Sequence, residues 1–373
     1  MEIKRFFECS LPVNACNLKC PYCYVIQEER RKNQIPPIEY SPEHIAKALR
    51  RERVGGICYI SICGFGETLL QPECVDIVQQ LLQEGHFVNI TTNGTLTPKF
   101  KELIEKSGEN ISHLHISFSL HYTELKRLNL LNTYFDNVNR MRSAGASVLV
   151  QFNLCDEYLP YLEEIKKLCV ENVGAMPQVA LTRDESVRPM RIWSSLSTEE
   201  YYERGTQFDS GLFAFTNQNF NVQRTEFCYA GAWSGVLNMQ TGELDKCYCN
   251  RDRTQNIFKN IEEPILFEAV GRDCHNSYCV NSSHFMSLGV IPSLKTPTYG
   301  QLRNRPEAGW YSNVMENFLN GKLYDANRQY TVCEKMKLGW KLGNGKREKL
   351  KKAIKFAMPQ GMLECIHHIR YGR

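Results

Sequence analysis

Apolar and polar positions alternate along the chain in two rhythms. Short apolar runs at 60–68 (ISICGFGET), 87–96 (FVNITTNGTL), 113–121 (HLHISFSLH), 147–155 (SVLVQFNLC) and 177–183 (PQVALTR) predict strands. Over 43–52, 75–85 and 161–172 the apolar residues recur at three- and four-residue spacing, which predicts helices, with Gly85 as a stop. From about residue 55 to 183 strand and helix take turns, the order expected of parallel βα units in an α/β fold. In such a sheet, ligands belong at the C-terminal ends of the strands.

Past residue 225 the rhythm breaks. VLNMQTGELDKC (236–247) predicts a hairpin with Thr241 and Gly242 at its turn, which returns Cys247 toward Cys228. Residues 296–330 contain one helical pattern, at about 311–320. KREKLKKAIKFAMPQG (346–361) is a short basic helix pattern ended by Pro359, and residues 341–373 carry +7, leaving −3 on the rest. It reads as a solvated surface helix or as weak contact with an anionic membrane surface or carrier.

Composition narrows the class. With 42% hydrophobic and 23% charged residues over 373 positions, the chain buries a real core and is not disordered. A net charge of +4 does not argue for a nucleic-acid partner. No apolar run reaches the roughly 18 residues of a membrane span, and the N-terminus lacks a signal-peptide core, so a cytoplasmic location is expected. Sixteen cysteines are out of proportion for such a chain and call for metal ligation or catalysis rather than disulfides.

Cys16, Cys20 and Cys23 stand in CNLKCPYC, a C-x3-C-x2-C spacing. Three soft thiolates on one loop suit one face of a cubic iron–sulfur cluster and leave its fourth iron without a protein ligand. A zinc site, wanting a fourth Cys or His, is the alternative. The motif resembles the signature of the radical S-adenosylmethionine (SAM) enzymes, whose aromatic residue before the third cysteine matches Tyr22. The resemblance implies a partial TIM-like (β/α)6 barrel, with PQVALTR as its sixth strand. It also implies a [4Fe-4S] cluster whose open iron binds SAM. Reductive cleavage then yields a 5′-deoxyadenosyl radical that abstracts hydrogen from substrate, with an electron donor such as flavodoxin or ferredoxin.

Further segments resemble the family's in order. ISICGFGET matches its GGE-type turn, with Gly64, Gly66 and Glu67 toward the SAM ammonium, and Asn93 with Gly94 matches its TNG turn. Ser117 and Ser119 end the next strand, where His121 replaces the acidic residue frequent in the family. Gln151 and Asn153 are placed for the ribose or carboxylate, Tyr22 for the adenine, and Arg183 near the last strand end. Taken singly, Glu67, Asn93 and Ser119 also fit ordinary turn or strand roles.

Cys228, thirteen residues, Gly242, four residues, Cys247 and a later pair, Cys274 and Cys279, resemble the twitch form of the SPASM extension. That implies one auxiliary [4Fe-4S] cluster, with zinc as the alternative and Cys249 as a competing ligand. Cys58, Cys74 and Cys169 read as core residues. Cys63, Cys155 and Cys249 are the candidate hydrogen donors.

The expected organisation is a barrel over 1–210, a small twitch-like hairpin/helix domain over 211–285, and an extension with a basic helix over 286–373. Arg303, Arg305 and neighbouring aromatics are expected to cover the barrel mouth or meet an acidic substrate. The cluster motif starts at Cys16, ahead of which no N-terminal peptide-recognition domain fits. This favours a small polar or carrier-linked substrate, of sugar or cyclitol type, oxidised with His121 or Arg183 as base. A peptide epimerase or crosslinking maturase is the alternative, and a non-enzymatic iron–sulfur or zinc protein is the reading from another class.

Overall fold

A computed structural model describes residues 1–187, 189–248 and 255–343. Six strands form a parallel sheet in chain order: β1 (Arg5–Leu11), β2 (Cys58–Gly64), β3 (Phe87–Thr92), β4 (Leu114–Ser119), β5 (Ser147–Leu154) and β6 (Gln178–Leu181). β1 to β5 are buried over most of their length, as expected of strands covered on both faces, and β6 over its first half. Amphipathic helices at Cys74–Gln83, Thr97–Ser107, Leu131–Ser143 and Leu162–Val173 cover the outer face. The helices at 97–107 and 131–143 were not expected from periodicity, because polar residues interrupt their apolar stripe. This is the partial (β/α)6 barrel.

β1 precedes the cysteine loop, and its register puts Glu8 opposite Ser61 of β2, itself opposite Asn89 of β3. Arg183–Asp184 (β7) and Arg191–Ile192 (β8) form a small separate antiparallel pair after β6. The predicted hairpin is present as β9 (Ser234–Asn238) and β10 (Glu243–Asp245), followed by β11 (Gln255–Asn256). Gly242 takes φ +76° at its turn and leaves no room for a Cβ against Phe258. β9 pairs parallel with β1, so the hairpin extends the barrel sheet and covers its first edge.

One compact unit contains 1–270 and 274–328; a second comprises 271–273 and 329–373 and is helical over 332–343. The basic segment 346–361 and Cys249 lie outside the described residues. Residues of the 286–328 stretch pack under the N-terminal ends of the strands. Phe318 stacks on Phe87 at 3.7 Å between ring centroids, and Val148 donates to the carbonyl of Trp310 at 2.8 Å. Arg305, expected at the barrel mouth, instead spends its guanidinium on the carbonyls of Met176, Phe208 and Asp209. No helix among the described residues is long and apolar enough to cross a membrane.

Candidate functional site

The loop that follows β1 carries Cys16, Cys20 and Cys23 across the C-terminal ends of the strands. Gly66, in the turn after β2, abuts this loop: a Cβ there would collide with the carbonyl of Ala15, and one on Gly64 with Val13. The glycines are therefore small because two chain segments touch. Glu67 N seals the contact on the Ala15 carbonyl at 2.9 Å. Asn93 locks the other side, with Nδ2 donating to Asn17 Oδ1 at 2.7 Å and Oδ1 accepting from Thr95 Oγ1 at 2.7 Å.

A cavity of about 400 Å³ opens beneath the loop. The three loop cysteines, Tyr22, Cys63, Gly64, Gly66, Glu67, Asn93, Ser119, Gln151, Asn153 and Arg183 all line it. Ser117 and Cys155 do not. The Ser117 hydroxyl is buried one layer lower and donates to Asn89 Oδ1 at 2.8 Å. Cys155 is buried behind the wall, where loss of solvent pushes its thiol up to about 12. Cys249 lies outside the described residues.

Glu67 is 2% exposed and accepts from Thr92 Oγ1 (2.6 Å), Asn93 N (2.8 Å) and Leu69 N (3.0 Å). Burial raises its pKa against these donors, and no described cation pairs with it. Oε2 holds one donor and keeps acceptor capacity, so an ammonium group in the cavity suits it. Ser119, Gln151 and Asn153 line the wall without side-chain bonds to the protein, leaving their polar atoms to a ligand.

The Tyr22 hydroxyl pairs with His121 Nδ1 at 2.7 Å and the Tyr158 hydroxyl at 2.8 Å. Burial holds the His121 pKa down at about 4, so the imidazole is neutral near pH 7. The Arg183 guanidinium is engaged by the Val280 carbonyl at 2.8 Å and Glu185 at 2.9 Å. The Arg183 guanidinium is committed to these partners, whereas His121 lines the cavity with a neutral, weakly basic imidazole.

The residue that sequence reasoning missed is Glu8, the one acid within RFFECSL. Ser117 donates to Asn89, Asn89 Nδ2 to Ser61 Oγ at 3.2 Å, and Ser61 Oγ to Glu8 Oε1 at 3.4 Å. The Cys63 thiol donates to the same oxygen at 3.7 Å. Burial nevertheless raises the Glu8 pKa to about 7. A lone acid flanked by Phe6, Phe7 and Cys9 in a buried strand is a signal the sequence does carry.

The second cysteine group draws on four separate segments. Burial raises the Cys228 thiol well above its usual range, and Cys279, Cys247 and Cys274 reinforce this. Burial and the same neighbours raise Cys279 to about 12. Cys228 and Cys279 are thus each within electrostatic reach of Cys247 and Cys274. None lines the cavity, whose wall is instead built by Tyr278 and Val280 through His284, just past Cys279. Among the described residues, no three His, Cys, Asp or Glu side chains already form a cage for a single metal ion.

The model of the radical SAM superfamily matches residues 10–168. No curated protein sequence matches the chain. Among solved structures, Streptococcus suis SuiB bound to S-adenosylmethionine is 15% identical, with a TM-score of 0.49. The match covers 68% of this chain and 63% of SuiB, so the chain spans less than two thirds of it. Native anSMEcpe with AdoMet and the Cp18Cys peptide is 14% identical over 94% of this chain and 99% of that one, at a TM-score of 0.48. BtrN in complex with AdoMet and 2-DOIA is 13% identical over 75% and 94%, at 0.38. The matched segment spans the C-x3-C-x2-C loop and β2 to β5, so this part of the chain is similar to the radical SAM superfamily that its motifs resemble.

Proposed function

We propose that the chain oxidises a small polar or carrier-linked alcohol of the sugar or cyclitol type. Cys16, Cys20 and Cys23 would hold the SAM cluster, and Glu67, Ser119, Gln151 and Asn153 would receive SAM. The cluster and SAM supply a 5′-deoxyadenosyl radical that takes one hydrogen atom from the substrate carbinol. Cys228, Cys247, Cys274 and Cys279 would hold an auxiliary cluster behind the wall at Tyr278 and Val280, as acceptor for the second electron.

Oxidation also releases the hydroxyl proton. Cys63 lines the cavity and donates to Glu8, so the proton passes to the Cys63 sulfur as the thiol's own proton moves to Glu8 Oε1. A carboxylate with a pKa near 7 is matched to that task. The observation that carries this reading is the pairing of a cavity-lining Cys63 with a buried, proton-accepting Glu8. In deuterated water with SAM, reductant and candidate polyols, the product should be two mass units lighter than substrate, one 5′-deoxyadenosine forming per turnover.

Cys63 also favours a second reading, epimerisation of a peptide with this thiol as hydrogen donor. That reaction would leave the product mass raised by one deuterium in the same experiment.

A further inference from the structure

His284 follows the last residue of the second cysteine group, Cys279, and its imidazole stands in the cavity wall together with Asn281, Ser282 and Ser283. The ring stacks on Phe6 of β1, with 6.0 Å between ring centroids and 13° between planes, and lies 5.4 Å from the Tyr299 ring. Its Nδ1 pairs with Asn281 Oδ1. A carboxamide oxygen has no proton to give, so Nδ1 is the donor and Nε2 carries the lone pair. Burial, reinforced by the charges of Arg303 and His115, holds the imidazole neutral. Asn281 also interacts with the Tyr248 hydroxyl, and Tyr248 with Glu8, so the carboxamide is tied to the group around the buried acid.

Nε2 of His284 has no hydrogen-bond partner among the described residues. Nε2 of His115 is unpartnered too, but it is sealed in the fold and borders no space, whereas His284 lines the cavity. Arg303 lines the same cavity. Two of its N–H groups go to Ser283, at the carbonyl (2.9 Å) and the hydroxyl (3.1 Å), its Cζ sits 3.7 Å over the Tyr299 ring, and its charge acts on Glu8. A guanidinium has five N–H donors, so some remain. The wall thus offers an acceptor that cannot donate beside donors that cannot accept. A hydroxyl satisfies both. A carboxylate or phosphate would meet a lone pair at His284, and an ammonium would meet a cation at Arg303.

We propose that His284 recognises a substrate hydroxyl: its Nε2 accepts the hydrogen bond from one hydroxyl of a polyol, with Arg303 as the donor beside it. Glu67, Ser119, Gln151 and Asn153, which receive SAM, come from the ends of β2, β4 and β5, whereas His284 and Arg303 come from the chain beyond the second cysteine group. The assignment rests on the oxidation reading and narrows its substrate to one with at least two hydroxyls. One loses its hydrogen to the radical and its proton to Cys63 and Glu8, and a second is held by His284.

Equilibrium dialysis of the cluster-loaded protein with SAM, against myo-inositol and, separately, D-glucose, tests it. One saturable site per chain is expected for at least one of the two. His284→Phe keeps the ring stack on Phe6 and should weaken that binding about fivefold or more, whereas His284→Gln, which keeps an acceptor, should stay within about threefold of wild type. In SAM-free wild type, diethyl pyrocarbonate should carbethoxylate His284, mapped by peptide mass spectrometry, and the same polyol should suppress the modification. No saturable binding of either polyol, unchanged affinity in His284→Phe, or a His284 that is unmodified or unprotected overturns the subsite. The reaction is judged separately. Oxidised product formed with an unchanged KM in His284→Phe would sink the subsite and leave the oxidation standing. Binding that depends on His284 with no oxidised product in wild type would strike the oxidation and leave the subsite standing.

Discussion

The two cysteine groups are built on opposite plans. The first is one eight-residue loop, CNLKCPYC, braced by Gly66 and Asn93 and facing the cavity with all three sulfurs. The second collects Cys228, Cys247, Cys274 and Cys279 from distant segments, and none faces the cavity. Three ligands around an opening suit a cluster that must bind a reactant. Four behind a wall suit one that only passes electrons. Position relative to the cavity separates the two proposed roles more sharply than the count of sulfurs does.

The largest expected effect breaks that comparison at its first term. Replacing Cys16, Cys20 and Cys23 with Ala should abolish 5′-deoxyadenosine formation altogether, measured chromatographically with dithionite as reductant. Replacing Cys228, Cys247, Cys274 and Cys279 with Ala should leave 5′-deoxyadenosine formation within a few-fold of wild type while eliminating oxidised product. Equal loss of both would place the two groups in a single function.

Next comes Glu8→Gln. Product formation in wild type should rise with pH through about 7, as the buried carboxylate loses its proton. The variant should be slower by about a hundredfold or more, with that pH dependence gone. Stability moves the other way. The folded pKa lies above the unfolded value of 4.5, so stability is fully present below about pH 4.5 and declines as pH rises toward 7. At pH 8 the ionised carboxylate therefore costs on the order of 3 kcal/mol, and Glu8→Gln should raise the urea midpoint there but not at pH 4.

The first plan was legible in the sequence because it is local. C-x3-C-x2-C, the turn at Glu67 and the turn at Asn93 are each fixed by neighbouring residues, and so are the strands that end in them. The second was legible only through its hairpin, since pairing β9 with β1 is a tertiary event that periodicity does not report. Glu8 is inconspicuous in the sequence because Ser61 and Cys63 meet it only through the pairing of β1 with β2. Arg303 lines the cavity from the 286–328 stretch, whose packing beneath the strands is a tertiary event that the sequence does not report. His121 shows the same limit: its neutrality follows from burial beside Tyr22 and Tyr158.

A smaller effect sharpens the contrast. Tyr22→Phe strips a hydroxyl shared by His121 and Tyr158, leaving buried polar atoms unpaired at a cost of about 1–3 kcal/mol in the urea midpoint. It should loosen SAM by a few-fold and leave the iron content untouched.

The comparison rests on two clusters, and iron and sulfide content with EPR tests that most directly. Anaerobically reconstituted wild type should hold about eight iron atoms per chain, falling to about four when Cys16, Cys20 and Cys23 become Ala, with one EPR signal lost and one kept. Wild type with about four irons and about one zinc would contradict the account, because the second group would then be a structural zinc site with no electron to accept.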